Sequence, residues 1–135
     1  MNKCNQLIKT IQETLKSYSE IQIATLFGSA AKNRLTPYSD IDISVAAAKP
    51  ILFEQKMDII VSLSKTLPYS VDLIDLQSVS GPILQEALCT GLLIKKSSIS
   101  LYAQLIKKMW YNQEDMMPLT RMVMIKRCER FINNE

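Results

Sequence analysis

An acidic, alternating segment follows a glycine–serine pair after a short gap, and this arrangement limits the possible folds more than any other feature of the chain. Residues 21–27 form an apolar run that ends at Gly28 and Ser29, which is typical of a buried strand entering a turn. Ten residues later, polar and apolar side chains alternate over residues 39–45, which is the period of a strand. The pattern therefore predicts two strands joined by a turn and a short loop.

The second of these strands carries two carboxylates on one face. Asp40 and Asp42 are two residues apart, so their side chains point the same way, with backbones roughly 6.5–7 Å apart. Two such carboxylates repel each other, and without a neutralising cation one of them has its pKa raised. Magnesium is bound by a few carboxylates together with water and substrate phosphates. The pair is therefore predicted to hold one or two metal ions.

The preceding turn is suited to binding phosphate. Gly28 lacks a side chain, so its backbone can approach a ligand closely. The Ser29 hydroxyl and the amides at the start of a following helix can donate hydrogen bonds to phosphate oxygens. A glycine–serine pair alone is an ordinary turn, but next to an acidic strand it predicts a nucleotide site.

A third carboxylate is expected from the apolar segment 71–76, which offers two aspartates of opposite parity, Asp72 and Asp75. If the apolar residues at 71 and 73 face the core, Asp72 emerges on the face of the acidic pair. Asp75 then lies on the core side near the end of the strand, where a capping carboxylate is the ordinary interpretation. Asp72 is therefore the preferred third residue.

The remaining periodicities predict an α+β (α/β-like) fold with a small mixed sheet flanked by helices and a helical C-terminal tail, in a single domain over residues 1–135. Glycine and proline residues mark the element ends. Further strands are expected at 71–76 and 92–95, and helices at 3–19, 51–67, 82–90, from Ile99 and again after Pro118.

The apolar positions of two helices predict which faces are buried. In the helix at 51–67 they are Leu52, Phe53, Met57, Ile60 and either Leu63 or Ser64. In the helix from Ile99 they are Ile99, Tyr102, Ile106, Met109 and Trp110. Methionines and aromatic residues near the C-terminus fit either a core or an adaptable partner surface. These residues are Met109, Trp110, Tyr111, Met116, Met117, Met122 and Met124.

Composition excludes several classes of chemistry. The 135-residue chain contains no histidine, which removes the Ser-His-Asp triad and imidazole-bound zinc. The net charge of +3 is too mild to predict a dedicated nucleic-acid binder. No apolar run reaches the ~20 residues of a membrane span and the N-terminus does not resemble a signal peptide, so a cytoplasmic protein is expected.

At the Gly28-Ser29 pair, the ten-residue gap and the Asp40-x-Asp42 strand, the sequence resembles the minimal nucleotidyltransferase (MNT) family of the DNA polymerase beta superfamily. The likeness continues through Val-Asp-Leu-Ile-Asp-Leu at 71–76 and the Gly-Leu-Leu turn at 91–93. It implies a polymerase beta-type fold and a magnesium-dependent nucleotidyltransferase that uses ATP and two metal ions.

Within that family, the chain resembles the antitoxins encoded beside HEPN ribonuclease toxins. The resemblance implies transfer of AMP from ATP to a toxin tyrosine, which neutralises the toxin within a hetero-oligomer. It assigns Gly28 and Ser29 to the triphosphate, and Asp40, Asp42 and Asp72 to catalysis and metal binding. Two other functions stay open: a non-catalytic antitoxin that acts by occlusion, and nucleotidyl transfer to a small molecule. The sequence leaves open the acceptor group, the nucleotide base and the number of nucleotides added.

The loop after the glycine–serine pair departs from the family pattern. Relatives often have Ala-Arg-Gly, whereas this chain has Ala31-Lys32-Asn33. Asparagine tolerates positive φ better than most residues, so the turn is expected to survive. Neither Lys32 nor Arg34 is assigned a phosphate contact.

Overall fold

A four-stranded mixed sheet organises the protein. The computed structural model describes residues 3–31, 39–112, 126, 127 and 130. Its elements are α1 (Lys3–Leu15), β1 (Ile21–Phe27), β2 (Asp40–Ala47), α2 (Phe53–Thr66), β3 (Ser70–Asp75), α3 (Pro82–Cys89), β4 (Leu92–Lys96) and α4 (Ile99–Asn112). The α+β class is confirmed, since strands and helices interleave around one mixed sheet.

The strands lie in the order β3-β2-β1-β4. Strand β1 is antiparallel to both β2 and β4, whereas β2 and β3 are parallel and connected through α2. A parallel pair needs such a crossover because its two strands run in the same direction. The antiparallel pair places the end of β1 beside the start of β2, so Phe27 faces Asp42 across the strands.

Helices cover both faces of the sheet. On one face, Ile11 and Leu15 of α1 and Leu63 of α2 pack against the odd-numbered apolar residues of β2. On the other, α3 and α4 pack against alternate residues of β1, including Ile23 and Phe27. Alternation therefore separates two apolar cores in this protein, instead of one core and one solvated face.

The bounds of the strands and of α3 agree with the sequence to within two residues, but the inward face of α2 is predicted only in part: Ile60 and Leu63 face the core as expected. Leu52, Phe53 and Met57 are exposed, while Ile59 and Leu63 are buried. Apolar residues spread over roughly half of the circumference of this helix, so periodicity could not identify which part of that arc meets the sheet. The first helix also ends earlier than predicted, at Leu15.

Helix α4 shows a smaller error of the same kind. Tyr102, Ile106 and Met109 are buried as predicted, but Ile99 and Trp110 are largely exposed. The buried arc is completed instead by Leu101 and Leu105. The second C-terminal helix, the side chain of Tyr111 and Met116, Met117, Met122 and Met124 lie outside the described residues, apart from helical positions 126, 127 and 130.

Candidate active site

Strand β2 carries Asp40 and Asp42 to one corner of the sheet, next to the end of β1. Asp40 begins the strand and is exposed, whereas Asp42 is partly buried. Both lie on the face that α3 and α4 cover, because the residues between and beyond them, Ile41 and Ile43, are buried on the opposite face. The predicted sharing of one strand face by the two carboxylates is therefore present.

The third carboxylate follows from the register of the parallel pair. Asp72 of β3 is the direct partner of Asp42, and Leu73 is the partner of Ile43. Paired residues on neighbouring strands project from the same face of a sheet, so Asp72 joins the acidic pair. The structure thus places Asp40, Asp42 and Asp72 together, as the parity argument predicts.

Asp75 has a structural position instead. Its carboxylate is 8% exposed and accepts hydrogen bonds from the Ile51 amide at 2.9 Å, the Gln77 amide at 2.9 Å and the Ser78 hydroxyl at 3.1 Å. These bonds tie the end of β3 to the segment that leads into α2. Asp75 is therefore a capping carboxylate on the core side of the strand.

Gly28 is in direct contact with the acidic pair. Its φ is +74°, in the left-handed region that favours glycine. A Cβ added at this position would collide with Oδ2 of Asp42 and would lie 3.2 Å from its Cγ. Only glycine therefore allows the turn and the Asp42 carboxylate to lie this close.

Ser29 is exposed in the same turn. Its hydroxyl is accessible to a ligand at the corner of the sheet, although its role as a phosphate ligand stays a prediction. Residues 28–31 form a turn, and the expected start of a helix beyond it lies outside the described residues. Lys32, Asn33 and Arg34 lie there as well.

Asp42 is the electrostatic centre of the cluster. Burial raises the pKa of its carboxyl, and the charges of Asp72, Asp40 and Glu86 raise it further. All four causes disfavour the ionised form, since each removes water from the carboxylate or adds negative charge near it. A bound cation would offset this repulsion, so the site is arranged to attract one.

Glu86 of α3 was not identified from the sequence. It is partly buried on the helix that covers the acidic face of the sheet, and its charge acts on Asp42. The available signal was that α3 is otherwise apolar or uncharged, with Glu86 as its single charged residue. Glu86 can be assigned to the acidic site from that signal only when the face of the sheet that α3 covers is known.

Ser44 continues the acidic face of β2 but is fully buried. Its hydroxyl forms a short hydrogen bond with the Thr25 hydroxyl on the neighbouring strand. The polar side of the strand is therefore solvated only at its beginning, where Asp40 and Asp42 lie. Beyond that point, α3 and α4 close over it.

The carboxylates do not surround a metal ion in their present positions. Among the residues described, no group of three acidic, cysteine or histidine side chains has the geometry to hold one. Magnesium does not require such a cage, because it commonly keeps several waters and binds through one or two carboxylates and substrate phosphates. The shared face and mutual repulsion of the three aspartates fit an ion of that kind.

Comparison with known proteins gives a consistent result. Residues 9–100 match the family model described as polymerase beta, nucleotidyltransferase. A protein adenylyltransferase of Shewanella oneidensis, MntA, is 28% identical over 111 residues, which are 82% of this chain and 67% of the relative. A putative protein adenylyltransferase of Methanocaldococcus jannaschii is 27% identical over 88 residues, 65% of this chain and 90% of that protein.

Solved structures share the fold. A chain from a toxin–antitoxin complex with AMP-PNP superposes with a TM-score of 0.68 at 25% identity, covering 87% of this chain and 98% of that one. A chain from the complex of tri-AMPylated Shewanella oneidensis HEPN toxin with MNT antitoxin gives a TM-score of 0.64 at 23% identity, covering 90% and 98%. The polymerase beta-type fold expected from the sequence is thereby confirmed.

Proposed function

Because the chain belongs to the polymerase beta nucleotidyltransferase family, we propose that it is an antitoxin that transfers AMP from ATP to a tyrosine of a cognate HEPN toxin. One observation carries the chemistry: Asp40, Asp42 and Asp72 share one face beside the Gly28 turn. The acceptor is proposed from relatives, since one is named a protein adenylyltransferase and another is an MNT antitoxin in complex with an AMPylated toxin. We expect the reaction in the cytoplasm, where ATP is available.

Two magnesium ions are proposed as cofactors, with Asp40, Asp42 and Asp72 as their ligands. The donor set consists of hard carboxylate oxygens, which magnesium prefers. The raised pKa of Asp42, caused by its burial and by the neighbouring carboxylates, supports a cation at this position. When bound, magnesium would supply the positive charge that the α-phosphate and the departing pyrophosphate require.

The turn after β1 is proposed to bind the triphosphate. Gly28 leaves its backbone open to a ligand, and the exposed Ser29 hydroxyl can donate to a phosphate oxygen. Gly28 and the Asp42 carboxylate lie close together, so this turn is next to the acidic face. Phosphates bound at the turn would therefore lie next to the carboxylates.

Asp72 is proposed to accept the proton of the attacking hydroxyl. Its carboxylate is exposed at the start of β3, so a tyrosine of a partner protein can approach it. The hydroxyl oxygen would form a bond to the α-phosphorus, the bond from that phosphorus to the bridging oxygen would break, and pyrophosphate would leave in line. Asp42 is less accessible to that hydroxyl, because it is partly buried.

Neutralisation by binding alone is the second proposal, and exposed apolar residues on α2 favour it. Leu52 is 67% exposed and Phe53 74%, and Met57 and Val61 continue the same side of the helix at four-residue intervals. Large exposed apolar residues in a row are typical of protein interfaces. Trp110, which is 39% exposed, could contribute on the other side of the sheet, whereas Met109 is part of the core.

The two proposals are separated by a neutralisation assay with the toxin encoded in the adjacent reading frame. An Asp40→Asn/Asp42→Asn variant keeps the shape of the site and removes the charges of two of its three aspartates. If catalysis neutralises the toxin, this variant fails to protect cells while still forming the complex. Full protection by the variant, with no label transferred from α-labelled ATP, would establish occlusion instead.

Transfer to a small molecule is the remaining alternative. The same labelled ATP reaction, resolved into protein, nucleic-acid and small-molecule fractions, distinguishes it. Label in the toxin band supports the proposed acceptor. Label only in an aminoglycoside or similar compound would replace the acceptor while leaving the nucleotidyl transfer intact.

A further inference from the structure

A cavity of about 320 Å³ lies along β4, apart from the acidic site. Residues 91–94 and Lys96 form one wall, and Gln12, Tyr102, Arg127 and Arg130 complete it. Strand β4 is at the edge of the sheet, beside β1. The cavity therefore occupies the side of the sheet opposite to β3 and contains none of the three proposed catalytic aspartates.

A side chain of α1 forms a hydrogen bond with the backbone at this edge of the sheet. The Gln12 Nε2 amide donates to the carbonyl oxygen of Ile94 at 3.0 Å. This bond fixes the position of Gln12 between α1 and the outer edge of β4. The wall of the cavity is thus built on regular elements, which hold side chains more firmly than loops do.

The charge of the cavity is positive. Lys96, Arg127 and Arg130 line it, and no carboxylate is among the described residues that do so. Arg127 and Arg130 are three residues apart in the sequence, both have helical conformation, and both line the cavity. Two guanidinium groups in this relation can bind the oxygens of one phosphate from adjacent directions.

The charge of Arg127 also acts on the end of α3. Burial raises the pKa of the Cys89 thiol, and the charge of Arg127 opposes that effect. Cys89 is the last residue of α3 and lies just before the Gly91 wall of the cavity. The positive charge of Arg127 therefore acts on a buried group next to the part of the chain that forms the Gly91 side of the cavity.

We infer that this cavity is a second anion site, which binds a small phosphate-bearing ligand of mononucleotide size or smaller. Its volume is at the lower end of the range of ligand pockets, and its cations match a phosphate group in charge and geometry. Binding here needs no magnesium, because the cavity itself supplies the positive charge. The inference is independent of the proposed adenylyl transfer, which uses other residues.

Metal-free titration tests the inference, since removal of magnesium leaves the acidic site repulsive to anions. We expect AMP to bind the wild-type protein in EDTA with saturable one-to-one stoichiometry by calorimetry. Arg130→Gln and Arg127→Gln should each weaken it about tenfold, as expected for the loss of one charged hydrogen-bonding group. Inorganic phosphate, titrated alone and as a competitor, distinguishes a phosphate site from one that also recognises the nucleoside.

Two control variants alter residues outside the cavity. Lys107→Gln removes one positive charge from an exposed position of α4 outside the cavity, and Asp42→Asn alters the acidic site. Both should bind AMP as the wild type does, and amide chemical shifts should move at 91–96 instead of at 27–28. The inference is overturned if AMP does not bind in EDTA, if Lys107→Gln weakens binding as much as Arg130→Gln, or if the shifts move only at the acidic site. Because Arg130 is exposed, its substitution does not threaten the fold.

Discussion

Asp42 and Asp72 are direct partners across the parallel strands β2 and β3, whereas Asp75, three residues further along, is enclosed by hydrogen bonds on the other face. Substitutions of these two aspartates, which lie in one short strand, should therefore have different effects. Substitution of Asp72 should affect chemistry, and substitution of Asp75 should affect stability. The pair therefore provides an internal test of the third carboxylate.

For Asp72→Asn, we expect loss of at least about a hundredfold in adenylylation rate, the usual scale for removing a general base, with no fall in melting temperature. For Asp75→Ala, we expect destabilisation by about 2–3 kcal/mol, because buried hydrogen bonds to a charged group are lost, with normal activity of the folded fraction. Denaturant unfolding and initial rates measure the two effects. Equal loss of activity without destabilisation in Asp75→Ala would reverse the assignment.

Gly28→Ala should impair the site through a steric contact that a matched glycine lacks. Gly28 and Gly81 both have a positive φ, +74° and +71°, so alanine at either position bears a backbone conformational cost, about 1–3 kcal/mol at Gly81, whose ψ is −144°. At Gly28 the new Cβ also collides with the Asp42 carboxylate, whereas at Gly81 it meets nothing within 4 Å. We therefore expect Gly28→Ala to lose activity, because the added Cβ displaces the Asp42 carboxylate.

Gly81→Ala is the control, and it should keep wild-type activity despite its lower stability. Thermal unfolding and initial rates of the two variants under the same conditions give the comparison. If both lose activity equally, backbone conformation explains the effect, and the contact with Asp42 has no part in it.

The metal-free protein should lose stability as pH rises through the pKa of Asp42. That pKa is raised by burial and then by the other carboxylates, so the protonated form is favoured in the folded state. The stabilising contribution is present below the ordinary aspartate pKa and disappears as pH rises through the raised value. In EDTA at neutral pH, Asp42→Asn should therefore melt a few degrees above the wild type.

Magnesium should reverse the order of the melting temperatures of the wild type and Asp42→Asn. Binding to the folded state raises the melting temperature of the wild type, while Asp42→Asn should respond little because it lacks a charged ligand. Thermal scans with and without magnesium, at acidic and neutral pH, provide the measurement. A magnesium response that is equal in the two proteins would remove Asp42 from the proposed ligand set.

The buried Thr25–Ser44 hydroxyl pair should couple the strands beneath the site. Ser44→Ala removes the hydrogen bond between the Ser44 and Thr25 hydroxyls. It should lower the free energy of unfolding by about 1–3 kcal/mol, the penalty for an unsatisfied buried polar group. The double variant Thr25→Val/Ser44→Ala removes both hydroxyls and should recover part of that loss. Denaturant unfolding of the four proteins in this cycle gives the coupling energy; strictly additive losses would show that the bond contributes nothing.

The sequence predicted features that depend on local periodicity. Strand β1 has the predicted bounds, Ile21–Phe27, and the parity of Asp72 is correct, because an alternating strand with an apolar side can face its core in only one way. No comparable rule covered α2, where Phe53 and Met57 are exposed although they fit the helical period. Apolar residues on several sides of a helix leave its orientation to be decided by the sheet.

The sequence alone also could not predict which residues of different helices and strands come together at one site. Glu86 belongs to the acidic site only because α3 folds over the face that carries Asp42. The cavity at β4 likewise combines Gln12 with Arg127, which are far apart in the chain. Such combinations depend on the packing of helices on a sheet, which no short motif encodes.

No helix within the described ranges 3–31 and 39–112 has both the length and the apolar character needed to cross a bilayer.

The most direct test of the account is the intact mass of the toxin from the adjacent reading frame after incubation with this protein, ATP and magnesium. We predict a gain of one or more AMP groups on a tyrosine, located by peptide mass spectrometry. The gain should be lost with Asp42→Asn, although the complex still forms on gel filtration. An unchanged toxin mass with the wild-type protein, or the same gain with Asp42→Asn, would contradict the proposal that this acidic site adenylylates the toxin.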